Sequence, residues 1–167
     1  LVQRLYTLWE LADLSGGTNA PAEPGRILVR GAEVFVLDTA ADRVYRRLLT
    51  PAGDALEPLT ADAVLVQKGQ SLGGIAVGEL VDMIWMPAGG DRKTNNLLIL
   101  ERNGSLLEWD PARGMRVLPV ADGAAWKKPQ AAGAYFGNFY LLDPLQNRIL
   151  KHVPTTGGYT TPPTDYL

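Results

Sequence analysis

The chain has 167 residues, 46% of them hydrophobic and 20% charged, which suits a globular domain with a packed core and excludes a disordered chain. A formal net charge of −2 removes any general electrostatic drive toward nucleic acid, and the absence of cysteine excludes disulfides and thiolate chemistry while leaving the redox compartment open. No apolar run reaches the roughly 18 residues that a membrane-spanning helix needs.

The chain opens on Leu1-Val2-Gln3, with no initiator Met and no visible signal peptide, and so reads as an excised domain. Leu1, Leu5, Leu8, Trp9 and Ala12 fall on helical spacing, whereas Leu5, Thr7, Trp9 and Leu11 alternate as in a strand. The Tyr, Thr and Trp of this stretch and the lack of a preceding cap favour a strand leading into the fold. A Gly, Pro and Asn-rich linker over 15–24 follows, so residues 1–25 are a lead-in strand and linker.

Beyond it, one pattern recurs three times: an apolar run of four residues closed by an acid, a short turn, and a second strand. Its copies are Val34–Asp38 with Arg43–Leu48, Leu97–Glu101 with Ser105–Asp110, and Phe139–Asp143 with Arg148–Val153. Pro and Gly follow each copy, at Pro51–Gly53, Pro111–Gly114 and Pro154–Gly158. Short apolar runs between turn signals mark strands covered on both faces. Asn103-Gly104 predicts a type I′ hairpin turn, which needs two residues of positive φ. Flanking strands are expected at Arg26–Arg30 and Ala63–Gln67, at Leu80–Met86 and Met115–Val120, and at Ala132–Phe136.

Four antiparallel strands per unit describe a β-propeller blade, and the 18 glycines and 12 prolines fit its many turns. The closing acids are spaced 63 and then 42 residues apart. The shorter spacing is that of one blade, and loops over 50–62 and 68–79 account for the longer. The expected architecture is all-β: a blade with insertions at 26–79, a second at 80–122, and an incomplete third at 123–167, roughly half of a six-bladed propeller. Asp38 and Asp143 each lie five residues before an Arg, Arg43 and Arg148, so each carboxylate is expected to accept turn amides and to pair with that Arg.

Asp38–Tyr45 and Asp143–Leu150 share the order apolar strand, Asp, turn, Asp or Asn, Arg, apolar strand. With Gly137–Pro144, Gly157-Gly158-Tyr159, Pro162–Leu167 and Val77–Trp85, they resemble the NHL-like six-bladed propeller region of large bacterial proteins of the Chloroflexota type. Some of those are joined to a serine/threonine phosphatase-like domain. The resemblance runs from about residue 26 onward and implies fold; no phosphatase motif is present, so no activity is carried over. It implies about three further blades after Leu167.

The chemistry is sparse. His152 is the one histidine, on the second strand of the third hairpin and aligned with Arg47 and Trp109, so it reads as an ordinary strand position. Arg43, Arg46 and Arg47 form the densest basic cluster and read as a solvated strand face. Gly69–Gly74 lacks the Lys-Ser/Thr and the helix of a phosphate-binding loop. Asp82 is the single acid expected on the inner strands, too few for the Ca²⁺ site of a propeller lactonase. Trp85, Trp109 and Trp126 occupy different repeat positions, which points to packing between blades. No catalytic, metal or cofactor residue is assigned.

A binding or scaffold module is expected, sensory in the sense that loops at the channel rim recognise a protein or small ligand. The alternative is a lactonase-like metal-dependent hydrolase with ligands completed by further blades. Neither nucleic acid nor a membrane span is expected, and a three-blade chain needs more blades in cis or a second copy in trans.

Overall fold

The computed structural model describes residues 22–57 and 64–167. The lead-in strand over 1–14 lies outside the described residues, as do the linker up to 21 and residues 58–63. Among the described residues the chain is all-β, with three antiparallel sheets and one small hairpin.

The first sheet contains β1 (Pro24–Arg30), β2 (Glu33–Asp38), β3 (Arg43–Leu49) and β4 (Leu56–Glu57), with β5 (Val64–Gln67) also on β3. The hairpin is β6 (Ser71–Leu72) and β7 (Ile75–Ala76). A second sheet follows in sequence order as β8 (Leu80–Met86), β9 (Asn96–Glu101), β10 (Leu106–Asp110) and β11 (Gly114–Leu118). After a 3-10 turn at Gly123–Ala125 comes the third: β12 (Ala131–Tyr135), β13 (Asn138–Asp143), β14 (Arg148–His152) and β15 (Thr164–Asp165). The two-residue β15 completes four strands in a unit where the sequence pattern shows only three.

Alternation along the second strand of each sheet sets the stacking. On β9, Leu97 and Ile99 join Phe35 and Leu37 of β2 in one core, while Leu98 and Leu100 join Phe139 and Leu141 of β13 in another. The second sheet is therefore covered on both faces, which is why its run Asn96–Glu101 is buried throughout. Each Leu, Ile or Phe so enclosed contributes about 1.5–3 kcal/mol relative to an exposed position. Phe35 sits 5.3 Å from Trp109 and 6.1 Å from Trp85, so these two tryptophans pack between the first and second sheets.

The closing acids share a role the spacing alone did not show. Asp38 Oδ1 accepts the Glu23 amide, Glu101 Oε1 the Gly78 amide, and Asp143 the amides of Lys127 and Lys128 at 2.6 and 3.1 Å. Each acid thus ties the segment approaching its sheet's first strand. Asp38 also accepts Ala40 and Ala41 and pairs with Arg43 at 3.3 Å, as expected. Arg148 does not pair with Asp143. Both Asp143 oxygens are taken by main-chain amides, and the guanidinium goes to Gln146 Oε1 at 2.7 Å and Asp165 at 3.5 Å.

Two turns differ from expectation. Of Asn103-Gly104 only Gly104 takes positive φ (92°), and the Asn103 side chain accepts the Ser105 amide. The Asx interaction holds Asn103 in an ordinary conformation and rules out type I′. That geometry occurs instead at Gly73-Gly74, both of positive φ, inside the stretch expected as an open loop; it closes β6 on β7.

Candidate functional site

Three connections gather at one end of the second and third sheets: the β8–β9 loop, the β10–β11 turn, and the segment after β14. Gly89 fixes the first of these. A Cβ there would meet the Phe136 carbonyl carbon at 2.5 Å, so only glycine lets the loop lie against the β12–β13 turn. Gly89 and Arg92 then exchange two main-chain hydrogen bonds of 3.0 Å, a small closed turn that directs Arg92 back toward the sheets.

Arg92 enters a buried ionic cluster. Its side chain is 7% exposed and donates to Glu108 Oε1 on β10, itself 1% exposed. Arg116, opposite Glu108 on β11, donates from Nε to Oε2 at 2.7 Å. Burial alone would raise the Glu108 carboxyl, but hydrogen bonds from Arg92, Arg116 and Asn96 outweigh it and hold the group below the usual carboxylate range. The Arg92 guanidinium also lies 5.7 Å from the centroid of Tyr159, whose hydroxyl donates to the Gly137 carbonyl at 2.8 Å.

Above this cluster opens a cleft of about 260 Å³. Its walls carry Arg92, Lys93, Arg113 and Arg116 against only two carboxylates, Asp91 and Glu108, with Thr94, Thr155 and Thr156 at the rim. Arg113 is itself paired with Asp110 at 3.1 Å. At the floor, Arg92 Nε and Asn96 Oδ1 are buried without a hydrogen-bond partner among the described residues.

None of these cleft residues stood out in the sequence. The available signal was Glu108 itself, an acid interrupting the apolar strand Leu106–Trp109, which implies a buried cationic partner.

The residues that the sequence did single out lie elsewhere. Asp82 on β8 accepts Nε and Nη2 of Arg26 on β1, both at 2.8 Å, and the Ala132 amide of β12 at 2.8 Å. It also accepts the Met83 amide at 2.8 Å, so it links the first strands of all three sheets. His152 is fully buried among Trp126, Phe139 and Tyr159, with ring centroids 5.5–6.5 Å away, and burial pushes its pKa down to about 4. It sits opposite Phe139 as Arg47 sits opposite Val34 and Trp109 opposite Leu97, the shared strand position expected of it.

The basic cluster is not a solvated face. Arg46 pairs with Glu33 and lies 4.9 Å from the Trp109 ring of the second sheet, while Arg47 is buried against Tyr45, where burial lowers its pKa. Among the described residues no group of three or more His, Asp or Glu is placed to hold a metal ion, and no helix is long and apolar enough to cross a membrane. Comparison with family models, curated proteins and solved structures finds no match to this chain.

Proposed function

We propose that the chain is a run of three β-propeller blades, of the NHL-like kind its sequence resembles, acting as a non-catalytic binding or scaffold module of a larger bacterial protein. The observation that carries the binding role is the gathering of three connections around a net-positive cleft at one end of the sheets. Recognition by loops on a rigid stack is the usual use of such a scaffold.

The blade reading is supported by the equivalence of sheet faces. Phe35 and Leu37 on β2, Leu98 and Leu100 on β9, and Tyr140 and Leu142 on β13 hold the same register positions. The first two pairs lie under the sheet that follows. Leu142 and, beside Tyr140, Tyr166 are exposed on the outward face of the third sheet. A further blade in cis, or a second copy in trans, would cover that face.

The lactonase-like alternative needs inner-strand oxygens free for a cation. Asp82 has both oxygens committed to Arg26 and to main-chain amides, which weighs against it. The test is calorimetric Ca²⁺ titration together with lactone hydrolysis. The module reading expects neither saturable Ca²⁺ binding nor Ca²⁺-dependent turnover; saturable Ca²⁺ binding together with Ca²⁺-dependent lactone turnover would establish the hydrolase instead.

A further inference from the structure

We infer that the cleft beneath the β8–β9 loop binds a phosphate group bearing a P–OH, either free hydrogen phosphate or a phosphomonoester; this rests on the module reading and names its ligand class. Three features converge on that chemistry. Lys93, exposed and with no carboxylate partner among the described residues, stands at the rim with Arg116, whose side chain is 42% exposed. Together they offer accessible positive charge to an oxyanion.

The floor adds selectivity. Arg92, more than nine-tenths buried, keeps Nε–H without an acceptor, and Asn96 keeps Oδ1 without a donor. Such groups are costly to leave unmade. Both residues line the cleft. A phosphate with one proton satisfies both, since its anionic oxygens accept and its hydroxyl donates. Sulfate, with no proton at neutral pH, satisfies only the arginine. The Glu108 carboxylate does not oppose the anion, because Arg92 and Arg116 already neutralise it.

The experiment is ¹H–¹⁵N NMR titration of the full chain at constant ionic strength, at pH 7.5 with inorganic phosphate and sulfate, both then mainly dianions that differ by one P–OH, and at pH 5 with inorganic phosphate and phenyl phosphate, both then mainly monoanions that bear a P–OH. Saturable shifts are expected at residues 91–94 and 155–158, with phosphate about fivefold tighter than sulfate, the worth of one net hydrogen bond. Lys93→Glu, on an exposed side chain, is expected to weaken phosphate about tenfold without changing the fold.

Phenyl phosphate distinguishes the two sources, because it carries the phosphate on an organic group that the free anion lacks. Tighter binding than inorganic phosphate supports a monoester on a larger molecule; equal or weaker binding supports the free anion. Equal affinity for sulfate and phosphate, non-saturating shifts spread over all surface cations, or indifference to Lys93→Glu would overturn the inference. Such a result would leave the module reading standing, since that reading falls only on metal-dependent turnover.

Discussion

Arg26 and Asp82 meet across two sheets through paired hydrogen bonds of 2.8 Å, and the same carboxylate receives the Ala132 amide from a third. Asp82 is 5% exposed, whereas the Arg26 side chain is 40% exposed. The two partners should therefore respond unequally. Asp82→Ala strands a buried amide and should cost about 2–4 kcal/mol, while Arg26→Ala should cost about 1 kcal/mol or less. Urea denaturation of both variants checks this, and equal losses would show that Asp82 acts only through the arginine.

His152 sets an acid limit on stability. Its pKa falls from the ordinary 6.5 to about 4 on folding, because burial among aromatic rings disfavours the charged ring. The unfolded chain therefore takes up the proton first as pH drops. The stabilisation is complete above pH 6.5 and is lost progressively as pH falls toward 4, amounting to about 3 kcal/mol. Thermal melts at pH 7 and 4.5 should show a drop that is much smaller in His152→Phe.

Two buried glutamates should give opposite responses to amidation. Glu101 is fully buried, its pKa raised by that burial and only partly offset by the Gly78 amide, so Glu101→Gln should be neutral or stabilising at pH 7. Glu108 neutralises Arg92 and Arg116, and Glu108→Gln should cost about 3 kcal/mol by leaving the Arg92 charge buried and unpaired. The signs follow from the shifts. The raised Glu101 pKa opposes folding as pH rises past 4.5, and the lowered Glu108 pKa favours it there. Paired denaturation curves at pH 7 decide it, and a destabilised Glu101→Gln would contradict the assignment.

Phe136 carries backbone strain at φ 49°, in a turn whose next residue, Gly137, is also of positive φ. Asn is the preferred residue at that position of a type I′ turn. Phe136→Asn should raise stability by about 1 kcal/mol, readable as a higher Tm.

The strands were legible because apolar runs such as Leu97–Leu100 are bounded by acids and turn residues, and the pattern changes abruptly at both ends. Where a strand is only two residues long, as at Thr164–Asp165 or Ser71–Leu72, pairing partners rather than local composition decide, and the sequence is silent. The Asp38–Arg43 pair was visible in the spacing, yet the same spacing misled at Asp143 because Gln146 competes for Arg148. Arg47 looked solvated since nothing local shows Tyr45 and the strand face closing over it. The cleft was hidden for a similar reason. Arg92, Glu108, Arg116 and Thr155 come from separate connections and strands, and only the stacking of two sheets brings them together.

Amide hydrogen exchange tests the stacked arrangement most directly. With cores on both sides, Leu97–Leu100 should be the slowest-exchanging segment of the molecule, slower than Tyr140–Leu142, whose outward face is open. Exchange at Leu97–Leu100 as fast as at Tyr140–Leu142 would mean that the middle sheet is not enclosed, and the account would fail.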